Sequence, residues 1–209
     1  GERQALWAHH GGFLMLSGAG ADEAWFRKLA QGRSILHLAT HGYMLDGRCP
    51  SLLSSRLRFE GGVAIGENPL ALSGLVVAGA NRRAGAASEQ DGILTAQEIA
   101  GLDLSGTEWA VLSGCETGIG QVLTGEGVLG LRRAFQVAGV GTLIMSLWPV
   151  DDGAARIWMH HLYEGRLQGL STLEAVRGAS LDMIASQRKS GGTTHPYFWG
   201  AFVAAGDWR

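Results

Sequence analysis

The sequence predicts an α/β domain built on a mainly parallel sheet, and three observations carry that expectation. Apolar runs of strand length alternate along the chain with segments of helical spacing. The runs at 34–39, 108–113 and 140–147 lack polar alternation, which is the pattern of strands covered on both faces. Capping boxes open two of the helical segments, at Thr95-Ala-Gln-Glu98 and Ser171-Thr-Leu-Glu174.

The elements follow in order. Phe13 to Leu16 is an apolar run of strand length, and Ala21 to Ala30 carries Ala24, Phe26 and Leu29 at helical spacing. Ser34 to Ala39 predicts a strand ending at Thr40-His41-Gly42. Residues 43 to 92 are less regular. There Arg56 to Phe59 and Gly74 to Ala78 read as short strands or hairpin arms, and Gly61-Gly62, Asn81-Arg82-Arg83 and Glu89 to Gly92 as turns or a mobile loop. A short helix runs from Thr95 to Ala100. A strand from Glu108 to Ser113 leads into Gly114-Cys115-Glu116-Thr117-Gly118. A helix from Glu126 to Ala138 stops at Gly139, a C-terminal glycine. Val140 to Leu147 is a further buried strand. Helices over Asp151 to Glu164 and Ser171 to Ser186 and a strand over Trp199 to Ala205 complete the chain.

Composition narrows the function classes. The 209 residues suit a single domain spanning 1–209, and the abrupt first residues suggest a piece excised from a longer multidomain chain. With 46% hydrophobic and 17% charged residues the chain is not disordered. A net charge of −2 gives no reason to expect nucleic acid. No apolar run approaches the ~18 residues of a membrane span, and the start does not read as a signal peptide. Two cysteines, Cys49 and Cys115, are no disulfide framework and suit a reducing compartment. A soluble, cytoplasmic protein is expected.

Two segments share one design. His37-Leu-Ala-Thr-His41-Gly42 and Val111-Leu-Ser-Gly-Cys115-Glu-Thr-Gly118 each place a reactive residue beside glycine just after an apolar strand. In open α/β sheets sites collect at the carboxyl ends of strands. If the two strands are parallel neighbours, His41 and Cys115 meet there despite their separation in sequence. A thiol attacks as thiolate, and its ordinary pKa near ~8.5 leaves little ionised at neutral pH. An adjacent imidazole takes the proton and later returns it to a leaving amine. The N–H groups of Gly42 and Cys115 can stabilise an oxyanion. Alone, a strand-end cysteine or histidine is more often a buried structural residue.

Other motifs carry less. Gly125-x-Gly127-x-x-Gly130 fits the dinucleotide fingerprint but does not directly follow its strand, so a cofactor is not expected. His160 and His161 are sequence neighbours, which point apart on a helix, and neither they nor His9-His10 predict a metal site. Cys49 reads as a bystander.

The strings Leu36-His-Leu-Ala-Thr-His-Gly42 and Leu112-Ser-Gly-Cys-Glu-Thr-Gly118 resemble those of the CHAT domain family, caspase-like domains related to separase. The resemblance continues through Gly125-Glu-Gly127, Ser146-Leu-Trp-Pro-Val-Asp-Asp152 and His195-Pro-Tyr-Phe-Trp-Gly-Ala-Phe-Val203. It implies a caspase-like sandwich, with helices on both faces of a central sheet. It also implies a cysteine endopeptidase with His41 as the dyad histidine, Cys115 as nucleophile, and Gly42 and the Cys115 amide as oxyanion hole. Protein or peptide substrates and a regulatory repeat or sensor module are the implied partners. Segments 80–92 and 116–125 are candidates for reordering on activation.

Substrate contacts are expected from Asp151, Asp152, Glu116, Ser146 and Trp148. A carboxylate at 151 or 152 would favour a basic residue before the cut. Both positions also suit helix capping, and Trp148 also suits the core. Two other functions stay open: a catalytically silent interaction module, and a thiol hydrolase or acyltransferase acting on a small molecule.

Overall fold

A computed structural model describes residues 13–44, 70–82, 90–113 and 126–208. Its first helix, α1 (Glu23–Leu29), is capped by Asp22, whose carboxylate accepts the Trp25 N–H at 2.9 Å. Strands β1 (Ile35–Leu38), β2 (Gly42–Met44), β3 (Ser73–Val76) and β4 (Ile93–Thr95) follow, then α2 (Ala96–Ala100) and β5 (Trp109–Leu112). The second half comprises α3 (Glu126–Val137), β6 (Thr142–Ser146), α4 (Asp152–Leu167), α5 (Thr172–Ser190), α6 (Pro196–Trp199) and β7 (Phe202–Gly206).

The central sheet has the order β1-β5-β6-β7. The pairs β1–β5 and β5–β6 are parallel, and β7 runs antiparallel to β6. Side chains alternate across it. Leu36, Ala110, Leu112, Leu143 and Met145 pack with α1, α2 and α3 on one face. Trp109, Val111 and Ile144 pack with α4 and α5 on the other. The chain therefore has the central, mostly parallel sheet with helices on both faces that its sequence predicts. All four residues of β5 are buried, which is why Trp-Ala-Val-Leu reads as a continuous apolar run.

Both capping boxes form. The Thr95 hydroxyl accepts the Glu98 N–H while the Glu98 carboxylate accepts the Thr95 N–H, and Ser171 and Glu174 do the same. Gly139 ends α3 with φ +102°, a conformation that suits glycine. At Gly206 the packing is also decisive, because a Cβ there would lie 2.1 Å from the Gly141 carbonyl oxygen.

The fold differs from the sequence expectation in four places. Phe13 to Leu16 joins neither sheet; its side chains are exposed, and a four-residue apolar run does not select a partner strand by itself. Trp199 belongs to α6, where His195 is the N-cap and Pro196 the first residue, so the last strand starts at Phe202. A second sheet, antiparallel β2-β3-β4, stands beside the central one. Strand β1 is not covered on both faces, since His37 is exposed. The expectations at Arg56 to Phe59, Gly61-Gly62, Arg83, Glu89 and residues 116–125 lie outside the described residues.

One buried carboxylate links the small sheet to α1. Glu23 accepts the Gly92 and Ile93 N–H groups at 2.7 and 3.1 Å and pairs with Arg27 at 3.2 Å. Burial pushes its pKa above the ordinary glutamate value despite these bonds.

Candidate active site

The parallel register aligns the two motifs. Leu38 stands opposite Leu112, the last residues of β1 and β5, and Leu112 stands opposite Met145 of β6. Three neighbouring strands thus end at one edge. His41 is the third residue after Leu38, and Cys115 the third after Leu112. Adjacent strands lie about 4.8 Å apart. Cys115 and Glu116 themselves lie outside the described residues.

His41 sits at a junction. The Thr40 hydroxyl donates to the Val76 carbonyl, and the Val76 N–H donates to the His41 carbonyl at 2.8 Å. The chain thus passes directly from the central sheet into the small one. The His41 ring is exposed. With the ladder's hydrogen bond at His41, the next residue, Gly42, turns its N–H away from β3. The Gly42 N–H is therefore not used by the small sheet, and Gly42 itself is buried.

On β5 the Ser113 N–H donates to the Leu38 carbonyl at 3.2 Å, carrying the pairing one residue past the strand. Ser113 Oγ lies 2.7 Å from His37 Nε2, and His37 Nδ1 lies 2.7 Å from Tyr163 Oη on α4. This cluster is absent from the sequence expectations. Its signal is parity: His37 shares a face with Ile35, and Ser113 with Trp109 and Val111, so both point toward α4.

The third strand end brings in residues 146–152. Ser146 closes β6 and is buried. Trp148 is half-buried, and its indole N–H donates to the Tyr197 carbonyl at 3.0 Å. Asp151 is the N-cap of α4, accepting the Ala154 N–H at 3.0 Å. Capping thus occupies one carboxylate oxygen of Asp151, while Asp152 is exposed on the first turn. Among the described residues no group of three or more His, Cys, Asp or Glu side chains could hold a metal ion, and no helix is long and apolar enough to cross a membrane.

The sequence profile of the CHAT domain matches residues 2–207. Tetratricopeptide repeat protein 28 of Homo sapiens is 32% identical over 117 residues, covering 56% of this chain and 4% of that protein. The Mus musculus protein of the same name is 32% identical over 114 residues, covering 54% and 4%. The chain thus spans about 4% of the length of these curated relatives. A solved structure titled "Structure of Protease" is similar at a TM-score of 0.44 and 16% identity, covering 56% of this chain and 30% of that one.

Proposed function

The chain belongs to the CHAT domain family, and from that premise we propose that it is a cysteine endopeptidase with Cys115 as nucleophile and His41 as its acid–base partner. The observation that carries the reading is the β1–β5 register, which ends two parallel neighbours together and leaves His41 and Cys115 at equal offsets beyond them.

The reaction follows from the side chains. His41 accepts the thiol proton as Cys115 Sγ attacks the scissile carbonyl carbon. The oxyanion takes hydrogen bonds from the Gly42 and Cys115 N–H groups. The C–N bond breaks as His41 returns the proton to the departing amine, leaving a thioester. Water attacks the thioester, His41 takes and returns its proton, and the S–C bond breaks to release the acid.

Asp152, exposed beside this edge, is the stronger candidate for favouring Arg or Lys before the cut, because capping engages Asp151. Glu116, Ser146 and Trp148 are the remaining pocket candidates. Its similarity to tetratricopeptide repeat proteins supports a reading in which it is one domain of a longer chain with a repeat module as its regulator.

The test is cleavage of a peptide library followed by mass spectrometry, comparing wild type with Cys115→Ala. Loss of every cleavage in Cys115→Ala supports the reading. Cellular function that survives Cys115→Ala intact would favour an interaction module. Wild-type turnover of small thioesters alone would favour a small-molecule hydrolase.

A further inference from the structure

His37 lies four residues before His41 on the strand that leads to it, and Ser113 lies two residues before Cys115. Their side chains meet at 2.7 Å. On its other nitrogen His37 meets the Tyr163 hydroxyl, also at 2.7 Å, with the two rings stacked at a centroid distance of 5.7 Å. Tyr163 is anchored in turn. It is 7% exposed, packs against Trp109 of β5, and its phenol is held protonated by burial. A single imidazole therefore bridges three elements: the strand leading to the histidine, the strand leading to the thiol, and the helix behind both.

We propose that His37 is a positioning residue for the reaction: by holding the Ser113 hydroxyl against the Tyr163 anchor, it fixes where the Cys115 segment leaves the sheet relative to His41. This rests on the dyad reading above. Both ring nitrogens of His37 are engaged by hydroxyls, so its contribution is orientation, and proton transfer belongs to His41. Precision matters at this distance, because a misplacement of about 1 Å can cost about a hundredfold in rate.

The experiment measures iodoacetamide alkylation of Cys115 against pH in the 209-residue chain, by mass spectrometry of the Cys115 peptide, alongside peptidase kinetics. The variants are His37→Leu, His37→Gln, Ser113→Ala and Tyr163→Phe. Ser113→Ala removes one hydroxyl and leaves the packing intact, which covers the case of a His37→Leu chain that does not fold. A well-placed imidazole lowers the thiol's ionisation midpoint from its free value near ~8.5.

We expect His37→Leu and Ser113→Ala each to move that midpoint toward the free value. The alkylation deficit should be about tenfold near pH 6.5 and vanish above about pH 9.5, where thiols ionise unaided. Turnover should fall about tenfold in kcat with KM within about twofold. The two losses should not add in the double variant. His37→Gln, which keeps a donor and an acceptor, should recover most of the rate, whereas a proton-transfer role would not be rescued. A wild-type midpoint equal to that of a free thiol, with no cleavage, overturns the dyad reading and this inference together. A depressed wild-type midpoint that every variant retains overturns this inference alone.

Discussion

His37 and His41 are one helical turn's worth of sequence apart, yet they meet opposite conditions. His37 stands within the sheet register, with hydroxyls at 2.7 Å on both ring nitrogens. His41 stands past the end of β1, its backbone tied down by Val76 and its ring exposed. On the proposed dyad, these two conditions suit two different roles. A ring hydrogen-bonded at both nitrogens is fixed in orientation and so suits a scaffold. A ring on an anchored backbone and open to solvent suits the proton exchange proposed for His41.

The largest effect that would break this comparison is on turnover. His41→Ala should lower kcat by about a hundredfold to ten-thousandfold, the usual contribution of a positioned acid–base group, with an unchanged unfolding temperature. If peptidase assays show His41→Ala near wild type, the assignment of the exposed histidine fails. Next is a residue that is wholly scaffold. Leu112 has no exposed surface at the end of β5, so Leu112→Ala should cost about 2–5 kcal/mol in urea unfolding. Activity should fall only in proportion to the unfolded fraction.

The two neighbouring aspartates repeat the contrast on a smaller scale. Asp151→Ala removes a helix cap and should cost about 1 kcal/mol of stability. Asp152→Ala should leave stability unchanged and reduce the preference for Arg or Lys before the cut about tenfold, the weaker end of a charge-assisted bond. Library profiling and thermal melts on the same pair of variants would expose a reversed assignment.

The smallest effect is electrostatic. Hydrogen bonds from the Ser171 hydroxyl and backbone N–H hold the Glu174 carboxyl below its ordinary pKa. A depressed acid stabilises the fold above its unfolded value, and that contribution disappears as pH falls through the lower folded value. Glu174→Gln should therefore melt slightly below wild type at neutral pH, and the gap should close on acidification below about pH 4.

The legible parts of the fold were those encoded locally. Trp109 to Leu112 reads as a doubly covered strand because both neighbours bury it. Thr95 with Glu98, and Ser171 with Glu174, announce their helices because the cap is made within four residues. The small sheet was harder. Gly42–Met44 and Ile93–Thr95 are three residues long, too short for a period-2 pattern, and both pair with β3 across long intervals of sequence. At the site, the motifs brought His41 and Cys115 forward, and the register shows that the strands preceding them are parallel neighbours. The His37 contacts escaped because they depend on which strands are neighbours and which face each side chain takes, and neither follows from one segment alone.

The bond from the Ser113 amide to Leu38 sets a tether. Two residues of fully extended chain reach about 7 Å. On the proposed dyad, covalent geometry alone keeps the α-carbon of Cys115 within that reach of Ser113, a residue stapled to the neighbouring strand.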